Sequence, residues 1–184
     1  MEEMILEVIG RYFPVGHPGR EIFLAHSMAV ADYSLLIARK NKHLNPDLDL
    51  VYYGAMLHDI GIAATDAPQI GCCGVEPYIR HGVLGADLLR ENGLAVFARF
   101  CECHIGTGIS VGEIVKRKLP LPLIDMKPET IEEKIVCVAD KFFSKSSKSP
   151  ETPRTVSKIL KALEKHGKHK PKEFIQLLNE LLMC

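Results

Sequence analysis

The sequence predicts an all-α protein organised as a single domain. Three observations point there: apolar residues recur at three-and-four spacing through most of the chain, helix start and stop signals punctuate them, and no β-hairpin signal stands out. The 184 residues are 47% hydrophobic and 25% charged, enough to close one sizeable core and too apolar for disorder over most of the length.

Taken in order, residues 21–40 lack internal Gly or Pro and keep one apolar face, which predicts a long helix. Asn45-Pro46-Asp47 reads as a start signal, with Asn as cap and Pro at the first helical position. The helix after it is expected to run through DLVYYGAMLHDIGIAA to about Ala64, before a loop at residues 65–77. Pro77 opens a helix that stops at Gly93, and a shorter one covers residues 94–104 until the Gly-rich IGTGIS breaks it. Ser110-x-x-Glu113 is a capping box for a short helix, and the prolines of LPLPLID make a loop. Pro128 begins a helix through the SK pair at 144–145, residues 144–150 form a polar linker, and two amphipathic helices follow at 153–166 and 171–182.

Composition narrows the function classes. Lys+Arg 23 against Asp+Glu 23 leaves no net charge, so nothing global argues for a nucleic-acid or membrane partner. The charge is uneven, however: residues 141–184 hold ten basic and four acidic side chains, giving that tail +6 and residues 1–140 −6. The simplest reading is a pair of solvated Lys-rich helices, and Phe174 alone offers bases little to stack on. Val156, Ile159, Leu160, Leu163, Phe174, Leu177, Leu178 and Leu181 form stripes expected to pack on the rest of the domain, with a homodimer interface left open. The start Met1-Glu2-Glu3-Met4 is acidic where a signal peptide is basic, and no apolar run approaches a membrane span. Six cysteines without zinc-site spacing read as reduced thiols, which makes a cytoplasmic setting the expectation, with Cys101, Cys103 and Cys137 as small core residues.

Three helices break the rule that apolar faces exclude ionisable groups, because a buried charge is costly unless paired or bound to metal. His26 stands in IFLAHSMAVA, His58-Asp59 in GAMLHDIGIAA, and Asp140 ends IVCVAD. A lone buried histidine is ordinarily a satisfied core residue, but Asp59 has no basic neighbour in sequence. A shared divalent cation accounts for all four at once. His81, beside the small Gly82 and Gly85, and His104, at a helix end, fit the same centre. Four His and two Asp exceed one open ion and suit two, with Asp59 as bridge. His17, His43, His166 and His169 lie in polar or Gly/Pro-rich sequence and are expected at the surface. Imidazole with carboxylate favours a transition metal, so one or two ions of iron, manganese, cobalt, nickel or zinc are expected.

The order His26, His58-Asp59, Asp140 resembles the signature of the HD superfamily of metal-dependent phosphohydrolases, and LHDIG at residues 57–61 resembles its HDIG variant. The similarity covers residues 20–145 and implies a helical HD-domain bundle with its ligands pointing inward, leaving residues 150–184 as a C-terminal helical extension of one domain spanning 1–184. The resemblance implies His26, His58, Asp59 and Asp140 as ligands, and His81 and His104 fall where the binuclear branch has two further histidines. Small stand-alone HDIG proteins of bacteria and archaea are similar in PLIDMKPETIEEKIVCVADKFFSK and HGVLGADLLR. Many HDIG proteins follow the glycine with Lys, whereas this chain has Ile62-Ala63, which leaves Arg80 and Lys141 as candidates to hold a phosphate.

The implied activity is hydrolysis of a phosphoester or phosphoanhydride of a nucleotide by a metal-activated hydroxide, formed from a water that Asp59 orients and deprotonates. Two alternatives use the same residues: a di-iron oxygenase of the same superfamily, and a silent nucleotide-binding module. The 65–77 loop and the 106–111 turn are expected to frame the pocket mouth.

Overall fold

In the computed structural model, the described residues are 1–145 and 152–182, and they form a helical bundle. The helices are α1 (Glu2–Tyr12), α2 (Arg20–Lys40), α3 (Leu48–Leu57), α4 (His81–Glu91), α5 (Ala98–Cys103), α6 (Val111–Arg117), α7 (Ile131–Lys141), α8 (Val156–Glu164) and α9 (Lys170–Leu182). The all-α expectation holds. α2 packs on α3 and α7, α4 lies on α5, and α8 pairs with α9, which closes on α7. α1, which the periodicity reading passes over, contributes Ile5, Val8 and Ile9 to the core.

Several boundaries differ from the sequence expectation, each for a local reason. α3 starts at Leu48 because Asp47, not Asn45, caps it, accepting from the Leu50 amide at 2.9 Å, while Asn45 turns left-handed at φ 50°. α3 then ends at Leu57, and a tighter 3₁₀ turn, Ile60–Ala64, replaces the expected last helical turns. α7 begins after Pro128 because Thr130 and Glu133 form a reciprocal capping box. The box at Ser110 and Glu113 forms as expected and starts α6. Residues 94–104 split into a 3₁₀ turn, Ala95–Phe97, and α5. The 65–77 loop contains a two-residue antiparallel pair, β1 (Asp66–Ala67) with β2 (Cys72–Cys73), turned by Gly71 at φ 73°. A pair this short leaves no alternating pattern to read.

The tail stripes pack as expected: Ile159, Leu163, Phe174 and Leu181 are buried in the main core. Of the linker expected at 144–150, residues 146–150 lie outside the described residues. One expectation needs correction. α2 is, by length and composition, apolar enough to cross a membrane. Its apolarity serves the core here, since Phe23, His26, Ser27, Val30, Ala31 and Ser34 are buried against neighbouring helices.

Candidate metal centre

The six predicted side chains come from element ends and one helix interior. His26 sits in the second turn of α2 and Asp140 in the last turn of α7. His58 and Asp59 follow α3 directly, His81 is the first residue of α4, and His104 follows the last residue of α5. The corner after α3 aims Asp59 inward because Gly61 lets the chain press on α4: a Cβ there would lie 2.1 Å from the His81 carbonyl oxygen.

All six are buried, none more than 7% exposed, so their charge must be answered inside the protein. They form two groups that share Asp59. On one side, Asp59 Oδ2 lies 3.1 Å from His26 Nε2 and 3.0 Å from His58 Nε2, and Asp140 Oδ1 lies 3.1 and 3.6 Å from the same two nitrogens. On the other, Asp59 Oδ1 lies 3.5 Å from His81 Nε2 and 3.3 Å from His104 Nε2.

These atoms are close without bonding well to one another. His26 Nε2, His58 Nε2 and Asp59 Oδ1 are buried with no hydrogen-bond partner among the described residues, and Asp59 Oδ2 is met there by the Lys145 ammonium. The remaining ring nitrogens explain the aim of three imidazoles. His58 Nδ1 donates to the Ala55 carbonyl at 2.6 Å, His81 Nδ1 to Tyr78 at 2.6 Å, and His104 Nδ1 to Cys101 at 2.8 Å. A carbonyl only accepts, so each Nδ1 carries a hydrogen and each ring, when neutral, turns an Nε2 lone pair to the centre. Two such lone pairs meet where His81 Nε2 stands 3.0 Å from His104 Nε2. Nothing donates between them. A cation held by both lone pairs would suit that spacing, and the whole donor set fits divalent transition metals.

The electrostatics agree. Burial would raise both carboxyls, but Lys145 and His58 at Asp59, and Lys141 and His26 at Asp140, hold both well below the usual range. Burial, then mutual repulsion with His104, pushes His81 down to about 3, and burial also lowers His104. Burial would lower His58 too, yet Asp59 and Asp140 outweigh it and push it up to about 9. In the metal-free chain a proton on His58 takes up part of the cation's work.

A cavity of about 400 Å³ opens over the centre, within the range of small-molecule sites. Gln69 and Ile70 of the 65–77 loop and Gly106 and Ile109 of the following turn line it, with His81, His104 and Asp140 at its inner end. Of the two cations expected to hold phosphate, Lys141 lines this cavity, donating to the His104 carbonyl at 2.8 Å and to the Asp140 carboxylate. Arg80 does not line it. Glu76, one turn earlier, draws it into an ion pair at 2.7 Å. Sequence reasoning missed Lys145, whose ammonium reaches Asp59 Oδ2 at 2.5 Å, and Arg117, Arg154, His166 and Lys170 in the cavity wall. Lys145 had one available signal, a position just over one helical turn beyond Asp140.

Comparison with known proteins places the chain. The family model described as HD domain matches residues 23–145. An uncharacterized protein of Methanocaldococcus jannaschii is 42% identical over 123 residues, covering 65% of each protein. Two proteins named tRNA (cytidine(56)-2'-O)-methyltransferase are also similar: that of Thermoplasma volcanium is 38% identical over 67% of this chain, and that of Picrophilus torridus 40% identical over 53%. The matched region spans less than two thirds of the length of these relatives, only 32% and 25% of the two methyltransferases. Among solved structures, the HD domain of the L. monocytogenes phosphodiesterase PgpH superposes with a TM-score of 0.54 at 21% identity, covering 97% of this chain and 95% of that one, a likeness of fold. With the matched residues running from the α2 turn before His26 to Lys145, and all four signature side chains gathered at one buried centre, the chain belongs to the HD domain family.

Proposed function

We propose that this protein is a binuclear metal-dependent phosphohydrolase that cleaves a phosphoester or phosphoanhydride of a small phosphorylated substrate, a nucleotide by preference. One observation carries the reading: the buried Asp59 carboxylate divides its two oxygens between two separate histidine groups. That is the arrangement a bridging carboxylate needs.

His26, His58, Asp59 and Asp140 would hold one ion and Asp59, His81 and His104 the other. Divalent ions so held supply an acidified water as nucleophile and positive charge opposite the phosphoryl oxygens. The chain's own residues supply the rest. Carbonyls of Ala55, Tyr78 and Cys101 lock three imidazoles, so the ligand atoms need not reorganise on binding. Asp59 is the carboxylate placed to orient the attacking water and take its proton. Lys141 and Lys145 stand in the cavity where phosphoryl oxygens must lie, replacing the lysine that Ala63 does not provide. Ile79, Ile105, Ile109 and Phe143 give the cavity an apolar wall against which a nucleoside can rest.

The test is metal analysis of the purified chain followed by a phosphate-release screen over nucleotides. The reading expects bound transition metal and turnover that depends on it. Full activity in Asp59→Ala would overturn it, and oxygen consumption with a mixed-valence di-iron signal would replace it with the oxygenase reading.

A further inference from the structure

The cavity is more cationic than one phosphoryl group requires. Arg117, Lys141, Lys145, Arg154 and Lys170 line it, and Asp140 is the single carboxylate among the described lining residues. Three of the five cations are already answered. Lys170 lies 2.8 Å from Glu113 and 3.2 Å from Glu173, Lys141 rests on Asp140, and Lys145 on Asp59. Arg117 and Arg154 differ. Arg117 donates to the His166 carbonyl at 3.1 Å, and Arg154 to the carbonyls of Lys141 and Phe143. Neither has a carboxylate partner among the described residues, and the buried Arg154 Nε has no partner there at all. A guanidinium offers five donors in a planar fork, so each has donors that the described residues do not use and that an anion can take. His166, in the same wall, is pushed down by burial and then by Arg117, Lys141 and Lys170, which marks a positive potential there. A phosphomonoester brings only about two negative charges.

We propose that Arg117 and Arg154 form a second anion subsite in the wall of this cavity, so that the substrate is a small molecule bearing at least two phosphate groups, one cleaved at the Asp59 centre and another held by the two guanidiniums. This rests on the phosphohydrolase reading for the cleaved group. It also gives the basic C-terminal segment a specific role, because Arg154 and His166 lie beyond the matched family region and still wall the cavity.

The experiment measures binding, by calorimetry on the full Mn²⁺-loaded chain, of the four ribonucleoside 5′-monophosphates against their 3′,5′-bisphosphates and 5′-diphosphates, with phosphate release followed in parallel. The wild type is expected to bind its preferred two-phosphate nucleotide at least tenfold more tightly than the matching monophosphate, a preference that rising salt erodes. Arg117→Gln and Arg154→Gln should each cut that ratio roughly tenfold, as loss of a charge-assisted hydrogen bond does. Arg154→Lys should restore part of it. Arg154 also pins the chain after α7, so Arg117→Gln, at an exposed position, carries the test if Arg154→Gln fails to fold. Equal affinity for one and two phosphates, an unchanged ratio in the variants, or no nucleotide binding would each overturn the subsite. Tight two-phosphate binding with no phosphate release from any nucleotide would instead sink the hydrolase reading and leave the subsite standing.

Discussion

Gly61→Ala should damage the fold and the metal centre together. The added methyl carbon would lie 2.1 Å from the His81 carbonyl oxygen, 2.4 Å from the Gly85 amide nitrogen and 2.8 Å from Gly85 Cα. These are backbone atoms, so no rotamer change relieves the clash. Reaching even 3.0 Å from the His81 oxygen means parting the 3₁₀ turn from α4 by about 0.9 Å. Overpacking of this kind costs about 3 kcal/mol, the upper end of its usual range. For a chain of this size that lowers Tm by roughly 6–12 °C. The displacement falls on the two residues that matter most, since Asp59 lies two positions before Gly61 and His81 carries the struck carbonyl. Their present 3.5 Å approach would lengthen, the His81–His104 ion would be lost, and turnover would fall on the order of 100-fold. Thermal melts and elemental analysis read the effects separately. Gly10→Ala in α1, with open space around its Cβ, is the control and should be neutral or slightly stabilising. A Gly61→Ala protein that melts within about 2 °C of wild type and keeps both ions would refute the reasoning.

Further expectations follow from the same geometry. His104→Ala should lower metal content from two ions per chain to one, and Asp59→Ala should lose both, by elemental analysis. His58 titrates at about 9 in the metal-free fold, above its unfolded value near 6.5, so its stabilisation is complete below pH ~6.5 and disappears as pH rises through about 9. Urea melts should therefore show the metal-free chain weakening between pH 6 and 9.5 while the loaded chain does not, and calorimetry at pH 7 should show proton release on metal uptake. In Glu113, burial would raise the carboxyl, but Lys170 and Ser110 outweigh it and lower it to about 2. Lys170→Met should thus cost about 2–4 kcal/mol at neutral pH, a gap that narrows as pH falls from ~4.5 through about 2 because the folded-state benefit belongs to the ionised carboxylate. Lys145→Met should tighten metal binding by removing a competing cation from Asp59, and weaken phosphate binding by removing a donor from the cavity. A variant that moves neither would remove Lys145 from both roles.

What could be read from the sequence was decided by desolvation. His26, His58, Asp59 and Asp140 betrayed themselves as ionisable groups inside apolar runs, and the structure brings them together. Helix existence was legible for the same reason, since the apolar stripes of α2, α4 and α7 have no other use. Helix ends were less so. The turn after Leu57 depends on how closely Gly61 meets α4, a tertiary contact with no local signature. Arg154 counted as one more charge of a solvated tail because nothing in linear order says that the tail folds back over the centre, and Arg117, at the end of α6, has no local feature that points to the cavity. Arg80 misled for the opposite reason, standing next to a ligand in sequence while Glu76 turns it away.

The central claim is that Asp59 bridges two ions. Anomalous diffraction from crystals of the metal-loaded chain tests it most directly. Two peaks are predicted, one among His26, His58 and Asp140 and one between His81 and His104, each in contact with a different Asp59 oxygen. A single peak, or none, would contradict it.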